Sequence, residues 1–504
     1  MPRAAASRDF TRDSLREVIA EVVACFPVYR TYVDEDGWIP EDRAVLERAI
    51  ARARRRNPAM EASLFDIFRE VMLPRDVDTG PLPNDRRGGY PPPTREDARE
   101  RLRFAMKFQQ YTGPVQAKGL EDTAFYRFNV LLSINEVGGD PGRFGRSVAE
   151  FHDASLHRLR DWPLEMLTTA THDTKLGEDV RARINAISEL SGEWTREVGR
   201  WMRLNRARRT LIDSEPAPDR NDEYRFYQAL VGMWNDENVD ADGRVSQELV
   251  ERLVDFMRKS VREAQLCTSW IRPDTEYEDG LESFVRRVLL DDASNEFRQS
   301  VAAFVQLLDP VSHCHSISQL VLKCFMPGVP DFYQGCEDWR FTLTDPDNRR
   351  PVDFDCASRR LTRTFHSSRG ASDLKLQVTT TLLHFRADHD RMLREASYRP
   401  LRVRGARATS VVAFERRGLS SRAVVVVPRL IDRSAASAVP LDAAFWGDTE
   451  IRLPSSDGRW SNLLAGDELE LNCGWCRVAD LVDAARPWVV LYHARLKPGR
   501  TRSL

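Results

Sequence analysis

The sequence predicts an α+β chain of several parts: strand–helix units of a β/α barrel, long helical segments between them, and an all-β domain at the end. Three observations carry this. The stretch Thr168-Thr169-Ala170-Thr171, led in by Met166-Leu167, ends in His172-Asp173-Thr174-Lys175, and Glu178 to Ile184 then reads as a helix with acids in its first turn. A buried strand that delivers His-Asp at its carboxyl end ahead of a helix is how a β/α barrel presents catalytic groups, although a Thr-rich strand followed by an ordinary capping Asp would read the same. Between Gly177 and about Leu308 the pattern is almost wholly helical. From Leu401 onward it changes to short β runs: Ser410 to Glu415, Ala423 to Val427, Glu450 to Leu453, Glu468 to Leu471 and Trp488 to Tyr492. Turn residues separate these runs at regular intervals, as in an all-β sandwich.

Taken in order, Ser14 precedes Leu15, Val18, Ile19, Val22, Val23 and Phe26, the spacing of an N-capped amphipathic helix. Pro27 stops it, and Val28 to Val33 follows as a strand before the Asp34-Glu35-Asp36-Gly37 turn. Glu41 to about Leu73 is helical and charged, Pro74 to Pro93 is an irregular loop, and Thr94 to Gln110 is helical again. The aromatic pair Phe125-Tyr126, Asn135-Glu136 and the turn-rich Gly138 to Gly145 supply residue types that bind sugars, although a packed aromatic helix and a Gly turn would look the same. Trp194, Trp201, Trp234 and Trp270 read mostly as core. Val321 to Phe325 reads as an apolar strand breaking at Pro327-Gly328-Val329-Pro330, and Leu374 to about Arg394 as helix.

Composition narrows the function. The 504 residues, 42% hydrophobic and 30% charged, suit a soluble globular chain of two or three domains. A net charge of -2 gives no field for neutralising phosphates, so no nucleic-acid partner is expected. The arginine cluster at 52–56 and the basic tail from Arg495 to Arg502 read as a solvated helix face and a frayed terminus. The start of the chain has no apolar signal segment, and the longest apolar run, Ala423 to Pro428, is too short to span a bilayer. No membrane association is therefore expected. Eight scattered cysteines point to reduced thiols in a cytoplasm. Cys473-Gly474-Trp475-Cys476 lacks a second pair, and His313-Cys314-His315 lacks further ligands, so neither a metal nor another cofactor is expected.

Several stretches together resemble one family. They are Ala117-Lys118-Gly119-Leu120-Glu121-Asp122-Thr123-Ala124-Phe125-Tyr126-Arg127, Asn135 to Pro141, Thr171-His172-Asp173-Thr174-Lys175 with Glu178 to Ile184, Thr268-Ser269-Trp270, Met326 to Gly335, and Asp345 to Pro351. In this order they resemble the maltooligosyltrehalose synthases, the glucan glucosylmutase branch of the α-amylase-like glycoside hydrolases, from about Phe26 into the C-terminal domain.

The resemblance implies the C-terminal part of an incomplete (β/α)8 barrel with large helical insertions, followed by a β sandwich. Strands are recognisable near Val28, Met166 and Val329, whereas a closed barrel needs eight. The implied division is residues 1–35 for a helix and strand of the barrel, 36–161 for a helical insertion with a substrate loop, and 162–190 for the His-Asp strand. Residues 191–308 would form a second insertion, 309–372 the last strand and its loop, and 373–504 the β domain.

The implied reaction converts the reducing-end α-1,4 bond of a maltooligosaccharide into an α,α-1,1 bond by retaining transglycosylation. It needs a nucleophile and a general acid roughly 5 Å apart, plus a third acid that grips the distorted sugar. By resemblance Asp173 is that third acid and His172 bonds the same sugar. Lys175 and Lys118 would contact the donor or the departing glucose, with Glu121, Asp122, Tyr126, Glu136, Tyr333, Asp347 and Arg349 as further sugar contacts. The nucleophile and general acid belong to earlier strands of the family and are not found. Asp279-Gly280-Leu281 looks superficially similar but lies in the helical segment, after Asp173. The expected partner is a maltooligosaccharide or glycogen-derived α-glucan. Half of a split enzyme, completed by a separate N-terminal chain, or a catalytically inert glucan-binding component are the alternatives.

Overall fold

A computed structural model describes residues 10–73, 95–235, 238–240, 244–292, 295–366, 373–431, 441–454, 458–472, 474–483 and 486–494. Its chain divides into two compact units, Met1–Tyr126 and Arg127–Leu504. The predicted loop from Pro74 to Pro93, the basic tail and Cys473 lie outside the described residues.

The first unit is helical: α1 (Arg12–Ala24), α2 (Pro40–Arg56), α3 (Ala62–Met72) and α4 (Arg95–Gln116), the last continuing into a π-helical stretch, Ala117–Ala124. Its core is the apolar stripe of α1 (Val18, Val22, Val23) against Leu46, Ala49, Phe65, Phe68 and Phe108. Two expectations fail here. Thr11, not Ser14, caps α1: its hydroxyl accepts from Ser14 N–H at 3.1 Å, which puts Ser14 inside the first turn. Val28 to Val33 is not a strand: the chain bends through Val28 and Tyr29, and at Val33 a side chain stands in for a neighbouring strand. Gln109 accepts from Val33 N–H (2.8 Å) and donates to Val33 C=O (2.7 Å), supplying the donor and acceptor a ladder would provide.

In the second unit, α5 (Val148–Asp161) leads to β1 (Met166–Leu167), then α6 (Glu178–Ile187) and α7 (Ser191–Leu204). A hairpin, β2 (Thr210–Ile212) with β3 (Glu215–Ala217), follows where only helix was expected. Its turn residues Asp213 and Ser214 both have positive φ, the geometry that matches the twist of tight hairpins. Next come α8 (Arg220–Met233), α9 (Gln247–Ala264), α10 (Thr275–Leu290) and α11 (Asn295–Phe325). Val321 to Phe325, expected as a strand, is the last turn of α11. A short buried apolar run fits either period, and here Ile317, Leu320, Val321 and Cys324 repeat at helical spacing on a buried face. The strand that follows is only β4 (Val329–Pro330), which pairs in parallel with β1.

Trp194, Trp201 and Trp234 are buried in the core that α6–α8 and α11 share, whereas Trp270 is 52% exposed. No helix among the described residues is long and apolar enough to cross a membrane.

After α12 (Phe354–His366) and α13 (Leu374–Asp388) the chain is rich in sheet. Strands β5 (Ser397–Pro400), β7 (Val411–Arg417), β8 (Ser421–Pro428), β10 (Gly458–Asn462), β11 (Glu468–Leu471) and β13 (Val489–Ala494) form one antiparallel sheet in the order β11-β10-β13-β8-β7-β5. A second sheet has the order β12-β9-β6, from β6 (Val403–Arg404), β9 (Glu450–Leu453) and β12 (Gly474–Arg477). Val424, Trp460 and Leu491 of the first sheet and Leu453 of the second line one small gap, so the two sheets adjoin there.

Candidate functional site

The site starts from the β1/β4 pair. Val329 N–H donates to Glu165 C=O (2.9 Å) and Asp331 N–H to Leu167 C=O (2.8 Å). Gly328 makes this approach feasible: its φ is +123°, and a Cβ there would sit 2.7 Å from Glu165 O and from Leu167 Cγ.

Thr168 to Thr171, expected as a buried strand, leaves the sheet after Leu167, because side chains rather than a neighbouring strand satisfy its backbone. Arg181 donates to Thr169 C=O, Asn348 Nδ2 to Thr171 C=O (2.5 Å), and Arg349 Nε to His172 C=O (3.2 Å). Thr171 Oγ1 accepts from Asp173 N–H at 3.1 Å. Glu136 accepts from Lys175 N–H (2.9 Å), Leu176 N–H (3.4 Å) and Arg181 Nη1 (2.9 Å). Gly177 N–H donates to Thr342 C=O at 2.8 Å, where a Cβ on residue 177 would meet Thr342 Oγ1. A loop fixed this fully is preorganised, and its functional side chains need little reordering when a ligand arrives.

Beneath the loop lies a buried ionic cluster. The Lys375 ammonium is fully buried and donates to Glu178 (2.6 Å) and Asp179 (2.7 Å). Asp179 also accepts from Ser316 Oγ and Arg340 N–H, each at 2.7 Å. Lys323 donates to Thr169 Oγ1 (2.9 Å) and stands 3.8 Å from the centre of the Phe332 ring. Burial pushes the Glu178 carboxyl up, but the Lys375 and Lys323 charges outweigh it and hold the group at about 2. Burial likewise opposes charge on Lys375, and the adjacent Asp179 and Glu178 raise it above the usual range.

The predicted residues fall into three sets. His172 and Asp173 are exposed at the loop tip, where the half-exposed Arg349 guanidinium lies 4.0 Å from the Asp173 carboxylate. Glu136, Lys175 and Asp347 are at or near the buried layer. Asp347 takes a two-point grip from Arg252 (2.5 and 3.0 Å) and accepts from Leu343 N–H (2.7 Å), so its carboxylate shapes the 345–350 loop. Tyr333 is half-buried in the turn that Cys336 N–H closes on its carbonyl at 2.9 Å.

In the first unit, Lys118, Glu121, Asp122 and Tyr126 sit on or just beyond the π-helical stretch. Lys118 pairs with Asp122 at 2.8 Å, Glu121 accepts from the Tyr29 hydroxyl, and Tyr126 is buried. Arg181 and Asn348 hold the loop and lie in stretches that carry the resemblance, although neither is among the predicted site residues, whereas Lys323 and Lys375 carry no local signal in the sequence. Among the described residues no group of three or more His, Cys, Asp or Glu could hold a metal ion. His315 pairs with Glu189 (2.5 Å) and His313 packs on Trp339.

No family model matches the chain. A curated protein of Mycobacterium tuberculosis (strain H37Rv), named maltooligosyl trehalose synthase, is 36% identical over 362 residues, 72% of this chain and 42% of that protein. The solved maltooligosyltrehalose synthase of Arthrobacter ramosus superposes with a TM-score of 0.75 at 30% identity, covering 97% of this chain and 55% of that one. A maltooligosyl trehalose synthase structure from Sulfolobus tokodaii, titled hypothetical, gives 0.68 at 28%, covering 95% and 53%. The chain thus spans 42% of the length of its curated relative and about half that of the solved structures.

Proposed function

On the premise that this chain is a relative of the maltooligosyltrehalose synthases spanning about half their length, we propose that it carries one half of a site converting the reducing-end α-1,4 bond of a maltooligosaccharide to α,α-1,1. The observation that carries this is the clamped loop after β1, which presents His172 and Asp173 to solvent while every element beneath it is tied down.

In this reading the second unit contributes part of an incomplete (β/α)8 barrel. The β1/β4 pair supports it, since so short a parallel ladder is normally one part of a larger buried sheet. Asp173 acts as the acid that binds the distorted sugar, more tightly as positive charge develops at its anomeric carbon. His172 bonds the same sugar, and the Arg349 guanidinium, 4.0 Å from the Asp173 carboxylate, helps to orient it. Lys175 positions the sugar next to it, and Tyr333 is a further sugar contact. Lys118, Glu121, Asp122 and Tyr126 are proposed as sugar-contacting residues of the first unit.

Glu136 and Asp347 are assigned a supporting part. Their carboxylates already accept two or more donors each, which suits them to holding the loops rather than to nucleophilic attack. The nucleophile and the general acid then come from polypeptide outside these residues, and a separate N-terminal chain is the proposed source. One carboxylate would take the glucosyl unit as a covalent ester while the second protonates the departing glucose. The C1 hydroxyl of that glucose would then displace the ester, returning its proton to the second carboxylate and giving the 1,1 bond without net gain or loss of water. A cytoplasmic setting belongs to the same proposal, supported by seven cysteines that form no disulfide among the described residues.

The test is product analysis with maltopentaose. The 504-residue chain alone is expected to give no trehalose-capped product, and adding the N-terminal half of a close relative is expected to restore it. Turnover by the chain alone, abolished by Asp173→Ala, would mean that an acid within it is the nucleophile. Failure of every complementing half would favour a glucan-binding role without catalysis.

A further inference from the structure

Helix α9 leads away from the loop site to an aromatic ledge that the proposed chemistry does not use. Three cations point along it. Arg252 grips Asp347 (2.5 and 3.0 Å), Lys259 pairs with Asp345 and with Glu263 (3.2 Å), and Arg262 makes a two-point contact with Glu278 (2.8 and 2.6 Å). Asp345 in turn pairs with Arg349 (3.5 Å), the residue beside Asp173, so the row is continuous from the loop tip. From Arg252 to Arg262 the helix rises about 15 Å.

At the far end stands Trp270. The Arg262 guanidinium lies 4.9 Å over its ring, and half of the residue is open to solvent. Its loop is braced: Thr268 Oγ1 donates to Glu278 (2.8 Å) and accepts from Asp274 N–H (2.8 Å), and Ser269 Oγ accepts from Arg272 N–H (3.0 Å). An indole held in place by a cation, with a free surface and polar groups at its rim, is preorganised to receive a flat apolar face.

We propose that Trp270 is a stacking platform for a glucose ring of a linear α-1,4-glucan whose reducing end lies at Asp173, the intervening sugars running along α9. This rests on the functional reading above and extends it to the remote part of the substrate. The charges along the ledge favour this ligand. Each cation is matched by carboxylates and the pairs are largely buried, so the ledge carries little net field, which suits a neutral polyhydroxylated chain better than an ionic partner. Binding energy gained at Trp270 would hold long glucans in register, whereas a short one would not reach it.

Calorimetric titration of the 504-residue chain with maltoheptaose and with maltotriose tests this. Trp270→Ala is expected to weaken maltoheptaose binding by about tenfold, the scale of one aromatic stacking contact. It should leave maltotriose within twofold, and Trp270→Phe should keep most of the affinity for the longer sugar (~twofold loss). If the wild-type chain binds both sugars and Trp270→Ala changes neither affinity, the platform is refuted and the loop site stands. If the wild-type chain binds neither sugar, the functional reading and the platform both fall. If Trp270→Ala alters self-association but not sugar binding, the exposed Leu266-Trp270-Ile271 tip is a protein contact and the proposal is wrong.

Discussion

Replacing Lys375 by methionine tests whether the buried ionic cluster supports the site. Lys375 neutralises two carboxylates, Glu178 at 2.6 Å and Asp179 at 2.7 Å, with none of its side chain exposed. Methionine fills similar volume but removes the charge, leaving those carboxylates buried with Lys323 3.8 Å from Glu178. Breaking a buried pair on one side costs about 3–5 kcal/mol. The acid limb gives an independent estimate.

Glu178 is held at about 2 against an ordinary 4.5, so the folded state binds its proton less readily than the unfolded chain. Its contribution is therefore present above about pH 4.5 and is lost as pH falls toward 2. The difference amounts to about 3 kcal/mol. In Lys375→Met the sign reverses: without the cation, burial raises the Glu178 pKa above its unfolded value, and the variant gains stability as pH falls from 7 toward 5. Urea unfolding at pH 7 and pH 5 reads both effects. A variant within 0.5 kcal/mol of wild type, using ~0.5 as the scale of a neutral surface change, or one that keeps the wild-type slope with pH, would refute the account of this cluster.

Two further substitutions probe the loop and the strand beneath it. Glu136→Gln keeps size but exchanges one acceptor oxygen for a donor facing Arg181 and the loop amides. It should cost about 1–3 kcal/mol and speed hydrogen exchange at Lys175 and Leu176, and unchanged exchange there would count against the clamp. Gly328→Ala places a methyl against Glu165 C=O at a positive φ and should destabilise the protein by at least about 1 kcal/mol, read as a lower melting temperature, with loss of the β1/β4 amide protection.

What the sequence made legible divides along physical lines. Glu450 to Leu453 and Glu468 to Leu471 fall on strands with those bounds, because each is a short alternating run closed by turn residues. His172 and Asp173 were legible through the residues around them and are exposed at the tip of a loop, but the strand ends at Leu167, five residues earlier than the β-branched run Thr168 to Thr171 suggests. The supports were not. Glu178 and Asp179 read as acids complementing a helix dipole, yet their main partner, Lys375, is 197 and 196 residues further along the chain. Such pairing leaves no local trace. Val33 shows the opposite error: a β-branched run was read as strand when Gln109, 76 residues away, supplies both of its hydrogen bonds. Val321 to Phe325 was misread because a buried apolar run of that length suits both periods.

The measurement closest to the central claim is the steady-state rate of Asp173→Asn in a mixture of this chain with a complementing N-terminal half, followed as 1,1-linked product from maltopentaose. Asparagine keeps the shape and a hydrogen-bonding oxygen but loses the charge that would strengthen in an oxocarbenium-like transition state. The account predicts that kcat falls by about two to three orders of magnitude while KM changes little. A near-normal kcat would contradict it, and Asp173 would then be only the cap of the turn after β1.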